Sequence, residues 1–440
     1  MNYVSHSNDE QAEMLESLGL SSVEELFEVV PEQVRFPKLD LPPALSELEA
    51  VRHLGQLAAK NQNLNYTPSF LGAGAYRHYI PSVVAHLAGR SEFYTAYTPY
   101  QPEVSQGTLQ SIYEFQTMMG ELYNMEVANA SMYDGASALA EAAIMAVNVT
   151  GRHKIVMPAS IHPDSRLLVR TYTEPQGIVV EEYRTVDEAV AALDDQTAAL
   201  LVQQPDFFGQ IQDLQKLSDA THAHNALFVV SAYPTSLGLL KPPGDYGADI
   251  AVGEGQPLGM SLSFGGPYVG IFTCRNQYIR HLPGRIVGET VDKNGKRGYV
   301  LTLRTREQDI RRERATSNIC TNEGLIALIV TIYLSVMGKK GLREVAEQCY
   351  HKAHYAAKAI EALPGYELAF KGAFFNEFVV RCKDNRSVEK VQAALKAAGI
   401  MGGYELGKTY SDYADSLLFC CTELNTREEI DRLVQTLAAV

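Results

Sequence analysis

The 440-residue sequence has no Cys-x-x-Cys pair; its six cysteines stand at 274, 320, 349, 382, 420 and 421. The adjacent Cys420 and Cys421 cannot easily supply two corners of a zinc tetrahedron, so neither a thiolate metal site nor a disulfide scaffold is expected. That usage points to a reducing, cytoplasmic compartment. Positive charge is also scarce. Lys and Arg number 38 against 52 Asp and Glu, a net charge of −14, which argues against nucleic acid as a partner. The N-terminus places Asp9, Glu10 and Glu13 where an export signal carries basic residues and an apolar run, so no such signal is expected. The uncharged, strongly apolar stretch Leu325 to Gly338 is shorter than the roughly 20 residues of a bilayer span and reads as a buried helix, not a membrane anchor. No internal repeat, heptad array or low-complexity tract is visible.

Hydrophobic residues make up 46% and charged residues 20%, close to the average for a folded chain with a sizeable core. Residues 1–65 read as an arm of short helices divided by Pro31, Pro37 and Pro42-Pro43, with Ser21 to Glu25 as a helix start. Residues 66–325 alternate helical patterns with short β-branched runs: Lys154 to Met157, Gly177 to Val180, Leu200 to Val202, Leu227 to Val230, Asp249 to Val252 and Tyr268 to Phe272. This alternation predicts an α/β domain with a largely parallel sheet. Helices over 323–337 and 341–363 are followed by a smaller α+β domain, counted as 326–440, with strands near Glu377 to Val380 and Ser416 to Phe419.

Gly72-Ala73-Gly74-Ala75 lacks the third glycine of a dinucleotide fingerprint, since Arg occupies position 77. His222 and His224 form a His-x-His with no acidic or thiol pair nearby in sequence, which favours a surface or capping role over a metal. Asp134-Gly135-Ala136-Ser137 opens a strong helix former; its backbone N–H groups suit an anion, though a tight turn and helix cap explain the same residues.

Two segments have no regular period. Residues 94–107 crowd aromatics, prolines, amides and a carboxylate, including Tyr97, Tyr100, Gln101 and Glu103, and read as a recognition loop or a packed connection. Residues 305–321 carry four arginines and three acids, the pattern of a solvated helix face, followed by a neutral stretch rich in short donors.

The stretches YTPYQPEVSQGTLQ, SMYDGAS, GEGQPLGMSLSFGGPYVG, HLPGRIVGETVD and TREQDIRRERATSNICTNE, in this order, resemble the P-protein family of the glycine cleavage system, and within it the alpha subunit or corresponding N-terminal half. The resemblance runs from the arm to at least residue 345; the last hundred residues are less distinctive. It implies a fold-type I pyridoxal phosphate (PLP) architecture with an arm, a large mostly parallel-sheet domain and a small C-terminal domain. It also implies glycine decarboxylation, with the aminomethyl group passed to the lipoyl arm of H-protein and PLP as electron sink.

Such chemistry needs a lysine for the aldimine, an acid against the pyridinium nitrogen, a group on the ring and an anion cradle. Asp134, Gly135, Ala136 and Ser137 match the cradle, and His162 matches the stacking histidine of the family's catalytic subunit. The acid is missing where the strand Leu227 to Val230 ends in Ser231-Ala232-Tyr233, and no lysine lies between Lys241 and Lys293. The expectation is a relic site without a covalent cofactor and with no confident catalytic residue. PLP is expected on a homologous, lysine-bearing beta subunit whose active site this chain completes through Tyr97, Tyr100, Gln101, Glu103, Arg312, Thr316, Ser317, Asn318 and Thr321. The alternatives are a purely structural scaffold subunit, or a self-sufficient PLP transaminase or decarboxylase using Lys241 or Lys293.

Overall fold

The computed structural model describes residues 6–94, 98–384 and 386–440. The chain forms two compact units, Met1–Asn63 and Leu64–Val440. The first contains helices α1 (Asn8–Ser17) and α2 (Glu47–Ala58), opened by reciprocal capping boxes in which Ser7 pairs with Glu10 and Ser46 with Glu49. The expected helix start at Ser21 yields only a 3-10 helix, Val23–Phe27, because the Ser22 side chain caps nothing and Glu25 instead accepts the Ser21 N–H at 3.1 Å.

The second unit is built on a seven-stranded sheet of β1 (Val127–Ala128), β2 (Lys154–Pro158), β3 (Val179–Tyr183), β4 (Thr197–Gln204), β5 (Leu227–Ala232), β6 (Ile250–Glu254) and β7 (Gly270–Cys274), in the order β1-β7-β6-β5-β4-β2-β3. Strands β2 to β6 pair in parallel, and β7 and β1 run antiparallel at one side. Alternate side chains enter two cores: Val156, Leu200, Phe228 and Val230 on one face, Ile155, Leu201, Val229 and Val252 on the other. Burial on both faces explains the unbroken apolar runs. Strand β3 starts two residues after the expected Gly177, which sits at φ +72° and closes a 3-10 turn.

Helices α3 (Ser82–Ala88), α4 (Gln106–Tyr123), α5 (Gly135–Thr150), α6 (Pro163–Thr173), α7 (Val186–Ala191) and α8 (Leu214–Ala223) belong to this layer. Helix α5 is buried continuously from Ser137 to Val147, which its alanine-rich sequence permits. A hairpin of β8 (Ile286–Val291) and β9 (Arg297–Thr302) follows. The arginine-rich segment is no continuous helix: α9 spans only Gln308–Arg311, and Arg312 at φ +51° ends it.

Helix α10 (Gly324–Glu361) is long and apolar enough in part to cross a membrane by length and composition; here it interrupts its helical geometry at Gly338 and buries Ile326, Val330 and Tyr333 in the first core and Ala353, Ala356 and Ile360 in a third. That third core lies under an antiparallel sheet of β10 (Tyr366–Leu368), β11 (Glu377–Cys382), β12 (Tyr404–Glu405) and β13 (Ser416–Cys420), with α11 (Val388–Ala397) and α12 (Arg427–Ala438). The expected boundary at 325/326 falls in the first turn of α10, which carries both sheets' cores, so Leu64–Val440 is one compact unit.

Candidate functional site

The carboxyl ends of β4, β5 and β6 and the N-terminus of α5 surround a cleft of ≈ 540 Å³, the usual ligand position in an open α/β sheet. Asp134, Gly135, Ala136 and His162 all line it, as do Ser231, Ala232, Tyr233 and Glu254. Ser137 does not: it is buried, its N–H held by Asp134 Oδ1 at 2.7 Å and its hydroxyl donating to the Asp134 carbonyl at 3.0 Å. The turn-and-cap reading of these residues and the cleft-lining one therefore hold together.

His162 opens α6. Its Nδ1 accepts the Asp164 N–H at 3.1 Å and its Nε2 reaches the Ala73 carbonyl at 3.0 Å, which fixes a neutral ring with the proton on Nε2. Burial lowers its pKa and favours the same state. Gly74, at φ +101°, lets the 72–76 loop lie against this ring; a Cβ there would come within 2.8 Å of it. The Gly-Ala-Gly-Ala run is thus one wall of the cleft, tied to the small sheet by Glu377, whose carboxylate accepts the Ala73 N–H at 2.6 Å and the Tyr76 hydroxyl at 2.7 Å. Burial pushes Glu377 up to about 7.

Glu254 lies at the end of β6, in a motif that carries the family resemblance and contains no lysine. Its Oε2 accepts the Gly135 N–H at 2.9 Å, and its Oε1 accepts the Gln256 N–H at 2.9 Å and the Val269 N–H at 3.4 Å. Burial pushes it up to about 7 against these hydrogen bonds, with the Asp134 charge adding to the rise. Asp134, Asp164, Glu254 and Glu323 line the cleft, and none of its described lining residues is Lys or Arg. The Lys241 ammonium lies 4.4 Å from the centre of the Tyr246 ring, and Lys293 is exposed in the β8–β9 turn.

The two irregular segments meet at Arg285, a residue of the HLPGRIVGETVD stretch with no role evident from sequence. Arg285 is 3% exposed and donates to the Thr321 hydroxyl at 2.8 Å, the Tyr100 hydroxyl at 2.9 Å and the Thr98 hydroxyl at 3.4 Å. Arg304 lies 5.0 Å from the centre of the Tyr100 ring. Glu307 sits between the two guanidiniums, 3.9 Å from Arg285 and 3.8 Å from Arg304. Thr316, Ser317 and Asn318 point elsewhere and line a groove of ≈ 620 Å³ with Glu141, Tyr133 and Tyr172. Gln101, Glu103, Arg312 and Asn318 are exposed, and Tyr97 lies outside the described residues. Five of the expected cross-subunit residues therefore fall into two groups, Tyr100 and Thr321 at Arg285 and Thr316, Ser317 and Asn318 at the groove, while Gln101, Glu103 and Arg312 belong to neither. His222 meets an acid distant in sequence, since Asp249 lies 2.8 Å from its Nε2, while His224 ends α8.

The family model for the glycine cleavage system P-protein matches residues 1–437. A relative from Thermomicrobium roseum, named "Probable glycine dehydrogenase (decarboxylating) subunit 1", is 54% identical over 440 residues, 98% of each chain. A solved structure of glycine decarboxylase (P-protein) of the glycine cleavage system, in inhibitor-bound form, superposes with a TM-score of 0.92 at 42% identity over 100% of both chains. Glutamate decarboxylase of Lactobacillus brevis shares the fold alone, with a TM-score of 0.67 at 16% identity over 94% of this chain and 97% of that one. The large mostly parallel sheet and small antiparallel one are the fold-type I architecture, and the chain belongs to the glycine cleavage system P-protein family.

Proposed function

We propose that this chain is subunit 1 of a two-chain, cytoplasmic glycine dehydrogenase (decarboxylating). A homologous beta subunit carries PLP on its lysine and decarboxylates glycine, H-protein takes the aminomethyl group on its lipoyl arm, and this chain completes that site without a Schiff base of its own. One observation carries the division of labour: the cleft keeps its position at the strand ends, yet no described residue lining it is a lysine. With Ser231 at the end of β5 and Glu254 on the helix N-terminus, the residues present do not fit the cofactor. The family match and the names of the relatives support the reaction, and six free cysteines support the compartment.

Borohydride treatment of the purified chain with PLP, followed by peptide mass mapping, tests the reading. No stoichiometric adduct is expected; a full adduct on Lys241 or Lys293 would restore the self-sufficient enzyme. A scaffold role gains support from one feature, because the Tyr100 and Thr321 hydroxyls are engaged by Arg285 within the chain. It predicts that substitutions among the exposed loop residues alter assembly only.

A further inference from the structure

The first turn of α5 presents N–H groups to the cleft, where the positive end of a helix attracts an anion. Two of them are already taken by carboxylates: Glu254 holds the Gly135 N–H and Asp134 holds the Ser137 N–H. Glu254 is fixed in place by more than this bond. Its other oxygen accepts the Gln256 and Val269 N–H groups, and Gly135 packs so closely on it that a Cβ would come within 2.8 Å of the Glu254 nitrogen. Space does not explain the exclusion of a cofactor, since ≈ 540 Å³ lies within the range of small-molecule sites. The neutral His162 ring and the close approach of Gly74 also leave one wall intact. What opposes a cofactor is charge: a phosphate on these N–H groups would have to displace one carboxylate and sit beside another.

We propose that Glu254 is an internal anion standing in for the cofactor phosphate, and that it is the residue which closes this cleft to PLP. The carboxylate satisfies the helix N-terminus from within the chain, so the strand end and α5 stay joined with no ligand bound. Asp134 at the start of α5 and Glu323 at the start of α10 line the same cleft and add negative charge, the nearby Tyr123 and Tyr268 hydroxyls donate to the Ala232 and Leu262 carbonyls, not to Glu254, and His162 across the cleft is neutral. No cation among the described lining residues offsets these carboxylates.

The inference rests on the reading that this chain holds no cofactor of its own, and the two fail separately. The experiment compares the full-length chain with E254Q, which removes charge and keeps volume, and E254A, which removes both. PLP binding is measured by equilibrium dialysis at about pH 8, where Glu254 is ionised. E254A is expected to bind PLP about tenfold or more tightly than the parent, without a Schiff base. An equal gain in E254Q assigns the exclusion to charge, and a gain in E254A alone assigns it to occupancy of the cradle; both support the proposal. Stoichiometric PLP on the parent chain overturns the cofactor-free reading itself. A parent and two folded variants that all fail to bind overturn only the role of Glu254. Sulfate, which does not titrate in this range, is the second probe, and E254Q decides alone if E254A does not fold. Sulfate affinity equal in the parent and both folded variants at about pH 8, or equal in the parent and E254Q where E254A does not fold, overturns the proposal as well.

Discussion

The guanidinium of Arg285 donates to the Thr321 hydroxyl at 2.8 Å, and through its other terminal nitrogen to the Tyr100 hydroxyl at 2.9 Å, so one buried cation closes two loops far apart in the chain. Thr321→Val keeps the shape and removes one hydrogen bond to a charged group, a loss of about 1.5 to 3 kcal/mol. Tyr100→Phe removes another and keeps the ring that Arg304 faces. Urea denaturation of the free chain should show both losses. Stability unchanged in both variants would mean that these hydroxyls serve something other than Arg285.

What the sequence makes legible follows from the range of the interactions. Strands β2, β4, β5 and β6 can be read directly because burial on both faces demands consecutive Val, Ile and Leu. Asp134 is legible as a cap because its partner Ser137 is three residues away. Glu254 on the helix N-terminus is not, because the Gly135 N–H it accepts lies 119 positions off, and the Tyr100 hydroxyl is 185 positions from Arg285. Both residues stand in motifs that carry the family resemblance, where the catalytic chemistry directs attention to the groups that are missing. The signal was an acid at a strand end between two glycines, a position where only a buried partner makes a carboxylate tolerable.

Four buried carboxylates give the fold a pH signature. Burial raises Glu141, Glu254 and Glu377 from the ordinary 4.5, and Asp206 from 3.8, each to about 7. Between those values the native chain holds more protons than the unfolded one, so stability falls as pH rises through the window and levels off above it. Every tenfold gain in a group's proton affinity on folding corresponds to about 1.4 kcal/mol. Glu377→Gln should flatten this slope while keeping an acceptor for Ala73, and Glu141→Gln should do the same at the groove. Denaturation midpoints at about pH 5 and pH 8 measure it; a parent slope of the opposite sign would contradict the burial of these groups.

Close backbone approach makes Gly135 and Gly74 sensitive in different ways. Gly135→Ala places a methyl group 2.8 Å from the Glu254 nitrogen and 2.9 Å from its Cα, against backbone that cannot swing aside. Strain of about 1 to 3 kcal/mol should outweigh the helix propensity gained, which is at most about 1 kcal/mol. Gly74→Ala combines a strained φ of +101° with a contact to the His162 ring, which can rotate. The expected result is a shifted histidine NMR signal together with lower stability. For Gly135→Ala the measurement is again urea denaturation, and undiminished stability would show that the helix start can move away from Glu254.

The division of the cross-subunit residues into two groups changes how their role must be tested. Thr321 acts on Arg285 within the chain, so a variant carrying it confounds local stability with any effect on a partner. Arg312 and Asn318 are exposed, and no hydrogen bond joins the Asn318 side chain to another described residue. Arg312→Ala with Asn318→Ala should leave the free chain's stability within about 0.5 kcal/mol. In the complex with the lysine-bearing subunit, losing one or two hydrogen bonds to an anion should weaken cofactor retention about tenfold or more. PLP released during gel filtration of the assembled complex reports the effect, and the elution position reports assembly in the same run. Retained cofactor with normal glycine decarboxylation would assign both residues to the surface alone and favour the scaffold role. Retained assembly with lost cofactor would place the 312–318 stretch at the partner's site.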